Sequence, residues 1–286
     1  MEQLAHGIEP TVEPLDSEWT DLPLVIAADG VSVPFRSQSG TAKGKIQFRE
    51  VKIAVLARLK SVQTCSARSS TQLVQRRFVA VLGDLDALQS RLQLEALRQG
   101  ISTATQVVWI SAGARGFWRL FEQYWAGVAV GILDFYHAAQ QLWEAAVAYG
   151  NTLPTRTPQQ WFEQLRHQLR HGYVHRILKE FGRLLKYAST PESAKPTLKR
   201  VRQYLSTHLA HVQYRAFKKL GFPIGSGMVE SACKWLIQQR FKGTGMRWSE
   251  SGFNHLLHLR LAWVNQRFDS LFADHSLTLE LHSPNH

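Results

Sequence analysis

The stretch "VVWISAGARGFWRLFEQYWAGVAVGILDFYHAAQQLWEAAVAYG", residues 107–150, decides the fold class. VVWISA (107–112) is a short apolar run and reads as a buried strand; GFWRLFEQYWA after it has helical spacing. GVAVGILD (127–134) is a second buried strand, and FYHAAQQLWEAAVAYG a second helix. Strand–helix–strand–helix order builds a sheet with helices on its faces, which predicts an α/β fold with a mixed sheet.

Upstream, LPLVIAADGVSVPF is rich in strand formers and is interrupted at Asp29-Gly30, a strong hairpin signal. Residues 46–59 read as strand again after the small-residue loop SQSGTAKGK. Residues 71–99 carry helical spacing, read as two helices broken near Gly83 and stopped by Gly100. Downstream, 150–216 is nearly free of strand signals, is rich in Arg, Lys, His and Gln, and is punctuated at Pro154, Pro158, Pro191 and Pro196. It reads as an all-helical insertion. The segment from Gly225 to Phe268 is helical with a glycine-rich break at 242–245. The predicted organisation is therefore a flexible lead-in (1–21), a first core part (22–149), the insertion (150–216), a helical completion of the core (217–268) and a tail (269–286).

The 286 residues can bury a substantial core, and 44% hydrophobic content is that of an ordinary globular protein. The formal charge of +12 is not ordinary; the cations are spread along the chain and are not confined to a tail. Such a balance points to nucleic acid ahead of membrane surfaces or acidic proteins. Two cysteines, Cys65 and Cys233, exclude a disulfide framework and a four-cysteine zinc site and suit a reducing cytoplasm. No apolar run is long enough for a signal peptide or a membrane span.

Three carboxylates stand out. Asp29 and Asp134 close strands, and Glu230 opens a helix within FPIGSGMVESACKWLIQQRFKGTGMRWSESG. Carboxylates gathered at one sheet edge hold divalent metal for phosphoryl transfer. Each also has a plainer role: a turn for Asp29, a helix cap for Asp134, a first-turn charge for Glu230. Lys234, Arg240, Lys242 and Arg247 follow Glu230 beside glycines, suited to a phosphate backbone, with Trp248 placed to stack on a base. His137, three residues after Asp134, reads as a brace for the helix start. His167, His171 and His175 recur every four residues and read as a solvated helix face, as do the pairs His208/His211 and His255/His258. Asp84 and Asp86 read as surface positions of a helix.

ADGVSVPFR with FREVKIAVL, GILDFYHAAQQLWEAA and the long motif around Glu230 together resemble the DDE transposases of Kra-type bacterial insertion sequences, relatives of the Mutator-like enzymes. The resemblance runs from about residue 24 to 265 and is weakest in the insertion. It implies a ribonuclease H-like fold with an inserted helical domain. It also implies Mg2+-dependent (or Mn2+-dependent) strand cleavage and transfer on DNA, at element ends and target. Asp29 and Glu230 would be the first and last catalytic acids and metal ligands, with Asp134 as a ligand or a brace. The middle acid is expected in a pattern like I-S-D-G-A; here Ile110-Ser111-Ala112-Gly113-Ala114 puts Ala112 in its place. The alternative registration makes Asp134 the second acid. The resemblance further implies a nucleoid-associated bacterial protein, a homodimer as the common working form, and a chain shortened at its N-terminus. A non-catalytic DNA-binding remnant competing with an intact enzyme is the rival reading.

Overall fold

The computed structural model describes residues 13, 18–37, 46–63, 69–150 and 157–271. The SQSGTAKGK loop, most of the 1–21 lead-in and the tail from 272 onward lie outside the described residues. Five strands, β1 (Leu24–Phe35), β2 (Gln47–Gln63), β3 (Ser69–Leu82), β4 (Val107–Ser111) and β5 (Ala129–Leu133), form a sheet in the order β3-β2-β1-β4-β5. β1 and β2 run antiparallel and β4 and β5 parallel, so the sheet is mixed. With its flanking helices it is the α/β, ribonuclease H-like architecture expected. By contact the chain divides into two compact units: Met1–Arg58, Leu73–Thr105 and Gly227–His286; and Leu59–Gln72 with Gln106–Ser226.

In the first unit the expected break at Asp29-Gly30 does not occur. β1 passes straight through it, and its register with β2 runs unbroken from Leu24↔Arg58 to Phe35↔Gln47. Val31, Val33 and Phe35 beyond the break are buried, so continued burial and pairing override the local turn preference. Asp29 thus lies inside a strand. The Glu50 carboxylate lies over Gly30, where a Cβ would stand 2.1 Å from it and turn that exposed side chain aside.

The second correction concerns 71–99. Its first part is strand β3, and only Leu85–Arg98 is helix (α1). Thr71, Val74, Phe78, Val79 and Val81 are β-branched or aromatic, and that preference outweighed an accidental helical spacing. Asp84 is the N-cap of α1, accepting from Ala87 N at 2.8 Å, and Asp86 sits in its first turn. β3 ends the sheet, and the side chain of buried Asn265 lies on it: Phe78 N–H donates to Asn265 Oδ1 at 2.8 Å, and Asn265 Nδ2 donates to Phe78 O at 2.9 Å. Buried Arg58 donates to the carbonyls of Leu22, Gln99 and Gly100, joining the entry to β1 to the end of α1.

In the second unit every residue of β4 is buried, as the apolar run requires. α2 (Arg115–Leu120) continues as a π turn over Phe121–Trp125, which stacks Trp125 on Trp109 with centroids 6.0 Å apart. α3 (Phe135–Gly150), α4 (Pro158–Arg170), α5 (Val174–Leu184), α6 (Lys195–Thr207) and α7 (Tyr214–Lys219) follow. α4 opens on a capping box between Thr157 and Gln160 with Pro158 in its first turn, and α5 buries Val174, Ile177, Phe181 and Leu184 at helical spacing.

Two histidine readings change. α4 stops at Arg170, and Gly172 at φ +83° turns the chain, so His175 belongs to α5 and the three imidazoles share no helix face. His208 is buried and both His208 and His211 pack on Trp118, at 4.8 and 4.3 Å between ring centroids; that pair is no solvated surface. Among the described residues no helix is long and apolar enough to cross a membrane.

Candidate metal and nucleic-acid site

Asp29 and Glu230, two hundred residues apart in sequence, belong to the same unit. Glu230 lies in α8 (Gly227–Ala232), which continues as a π turn, Cys233–Gln238, and then α9 (Gln239–Phe241). Both α8 and the π turn pack on β1, the strand that carries Asp29. Arg260 of α10 (Glu250–Val264) donates to the carbonyls of Trp235 at 2.8 Å and Leu236 at 2.9 Å, satisfying backbone acceptors in the widened turn. Cys233 follows Glu230 by three residues, and its buried thiol is pushed up to about 12 by burial and by the charges of Asp29 and Glu230. Both carboxylates are therefore near enough to one side chain to act on it, and both are half-buried.

Lys234, Arg240, Lys242 and Arg247, which follow Glu230, are all exposed. Trp248 is placed otherwise than a free stacking platform would be. Its indole N–H donates to Phe241 O at 2.9 Å, its ring packs on Phe241, and its backbone pairs with Pro34 and Arg36 beyond β1. It anchors the KGTG segment to the strand.

In the other unit Asp134 is fully buried and directly precedes α3. Its Oδ1 accepts from the His137 backbone N–H at 2.7 Å and lies 3.1 Å from His137 Nδ1, while Oδ2 accepts from the Ser226 backbone N–H. Burial pushes its pKa up, but the hydrogen bonds from His137 and Ser226 more than offset this and hold it at about 2. Asp134 is thus a carboxylate ionised at neutral pH that caps α3 and ties it to the chain at 224–226, where Phe135 N–H also donates to Ile224 O at 2.8 Å. Gly225 permits that approach: a Cβ would stand 2.7 Å from the Tyr136 ring. The small residues of IGSG were the available sequence signal for this contact, and the reading of the motif as preparation for Glu230 passed over it.

Ala112 follows β4, and its carbonyl accepts from Trp118 Nε1 at 2.9 Å. Its neighbour Gly113 lies against Tyr204 of α6, whose ring a Cβ would meet at 2.2 Å. Burial first, then the charge of Asp134, push the Tyr204 phenol up, so it stays protonated. His208, next on α6, falls to about 4 through burial and its neighbour His211, and is neutral at physiological pH. From sequence His208 and His211 read only as solvated and Tyr204 is not singled out, because nothing local ties residues 204–211 to the turn at 112.

No protein-family model matches the chain, and no curated protein matches it. Among solved structures it is similar to the Drosophila P element transposase strand transfer complex, at 13% identity and a TM-score of 0.30 over 92% of this chain and 68% of that one.

Proposed function

We propose that this chain is a DNA-handling protein of the transposase type, in which Asp29 and Glu230 hold a divalent cation and the cations after Glu230 hold the DNA backbone. The observation that carries this is that the helical segment bearing Glu230 packs on β1, the strand bearing Asp29, which brings together carboxylates two hundred residues apart in sequence. Two like charges near one buried thiol repel, and a cation between them relieves that cost. Their hard oxygens suit Mg2+ or Mn2+, which when bound would activate an attacking oxygen and stabilise a leaving one. Exposed Lys234, Arg240, Lys242 and Arg247 supply the sequence-independent attraction for phosphates. The motif resemblance adds strand cleavage and transfer at insertion-sequence ends as the reaction.

Asp134 fits the role of brace better than that of ligand, since both its oxygens are already hydrogen-bonded and it is fully buried. By the motif resemblance Ala112 stands where a middle acid is expected, so the set of three acids that the resemblance implies is one short. That favours the second reading, a DNA-binding relative with weak or no cleavage. The two are separated by Mn2+ binding and plasmid nicking in wild type, Ala112→Asp and the double variant Asp29→Asn/Glu230→Gln. Ala112→Asp is expected to bind Mn2+ more tightly and to nick more. A wild-type chain that binds Mn2+ no better than the double variant overturns the carboxylate pair as a metal site.

A further inference from the structure

Cations occur throughout the chain, but their excess does not. Residues 157–219 hold thirteen Lys and Arg against three Glu, a net +10 out of the chain's +12. The three acids are already engaged: Glu163 with Arg166, Glu192 with Lys195, and Glu180 as acceptor for Trp161 Nε1 at 3.0 Å. Part of what remains uncompensated forms a row along one helix. α5 turns Val174, Ile177, Phe181 and Leu184 inward, and the opposite side presents Arg176, Lys179 and Arg183, with Lys186 just past its end. All four are exposed, and none has an acidic partner among the described residues. Arg176 instead lies over the ring of Tyr173 at 4.5 Å, and Tyr187 stands 49% exposed at the other end of the row.

Like charges at this spacing on a helix repel and destabilise it. Helical rise spreads Arg176 to Arg183 over about 10 Å, so several successive phosphates of one strand can be met at once. Flanking tyrosines add faces on which exposed bases or sugars can rest.

We propose that this face of α5 is a binding surface for the phosphodiester backbone of nucleic acid, separate from the cations that follow Glu230. It requires neither the carboxylate pair nor metal, and so stands or falls apart from the reading above. An acidic protein is the competing occupant; the row favours nucleic acid because its charges are regularly spaced and a tyrosine stands at each end.

The test is fluorescence anisotropy of the full chain with a labelled duplex of about 30 bp and arbitrary sequence, across a salt series. The variant is Arg176→Gln/Lys179→Gln/Arg183→Gln/Lys186→Gln, with circular dichroism to show that these surface changes leave the fold intact. Losing four phosphate contacts is expected to lower the salt slope by about 3.6 and weaken binding at low salt at least tenfold. The set Lys234→Gln/Arg240→Gln/Lys242→Gln/Arg247→Gln, measured in parallel, tests the other surface independently. A folded α5 variant with wild-type affinity and slope overturns the proposal. So does polyglutamate that displaces DNA from wild type at equal charge concentration and binds in a manner the α5 variant loses.

Discussion

Replacing Asp134 with Asn probes the brace between α3 and the segment before α8. The substitution preserves shape, but it removes the charge and turns one accepting oxygen into a donating amide NH2. Asp134 now accepts from the His137 backbone N–H at 2.7 Å and from the Ser226 backbone N–H. In the variant one of these donors faces another donor. A pKa lowered from 3.8 to about 2 in the folded protein corresponds to about 2.5 kcal/mol of stabilisation at neutral pH. The buried donor left without an acceptor brings the expected loss to about 3 kcal/mol. At a urea slope of about 3 kcal/mol/M, the unfolding midpoint followed by tryptophan fluorescence falls by about 1 M. The sign with pH is specific. Because the folded pKa is depressed, the contribution is complete above the unfolded value near 4 and is lost as pH falls through about 2. About half is gone by pH 3, so wild type and Asp134→Asn converge on acidification. A midpoint change below about 0.2 M, or a gap that stays constant from pH 7 to pH 3, refutes the reasoning.

Two further outcomes follow from the same geometry. In a Cys65→Ser background, alkylation of Cys233 by iodoacetamide is expected to be slow at pH 8, because burial and then Asp29 and Glu230 hold the thiol at about 12. Asp29→Asn or Glu230→Gln should speed it severalfold, as should saturating Mg2+ on wild type; rates unchanged by all three would show that the two charges do not act on the thiol. Asn265→Ala strips Phe78 of both its side-chain partners and should cost about 2–3 kcal/mol in denaturant unfolding, and an effect under 0.5 kcal/mol would mean that water replaces the amide freely.

The strand–helix alternation of 107–150 was legible because each apolar run there is short and bounded, β4 being buried throughout and β5 over its last three residues. The same logic misread 71–82, where Val74, Phe78 and Val81 mimic a helix stripe while their side-chain types belong to a strand. Asp29-Gly30 shows the limit of turn chemistry: a dipeptide states a local preference, and twelve paired residues of β1 outvote it. At the site, Asp29 and Glu230 could be named from sequence, but the shared neighbour that relates them, Cys233, could not. The burial of His208 and His211 against Trp118 was also invisible, since a histidine pair three residues apart looks the same on a surface as in a core.

The Asn265 side chain that closes the outer edge of β3 has a consequence in time as well as space. It lies 187 residues after Phe78, so during synthesis the strand emerges long before its cover. At about 5–20 residues per second the interval is about 10–40 s. Throughout it the backbone N–H and C=O of Phe78 lack the Asn265 amide and can pair with another chain. The amide therefore guards this point of the edge only once the chain is nearly complete.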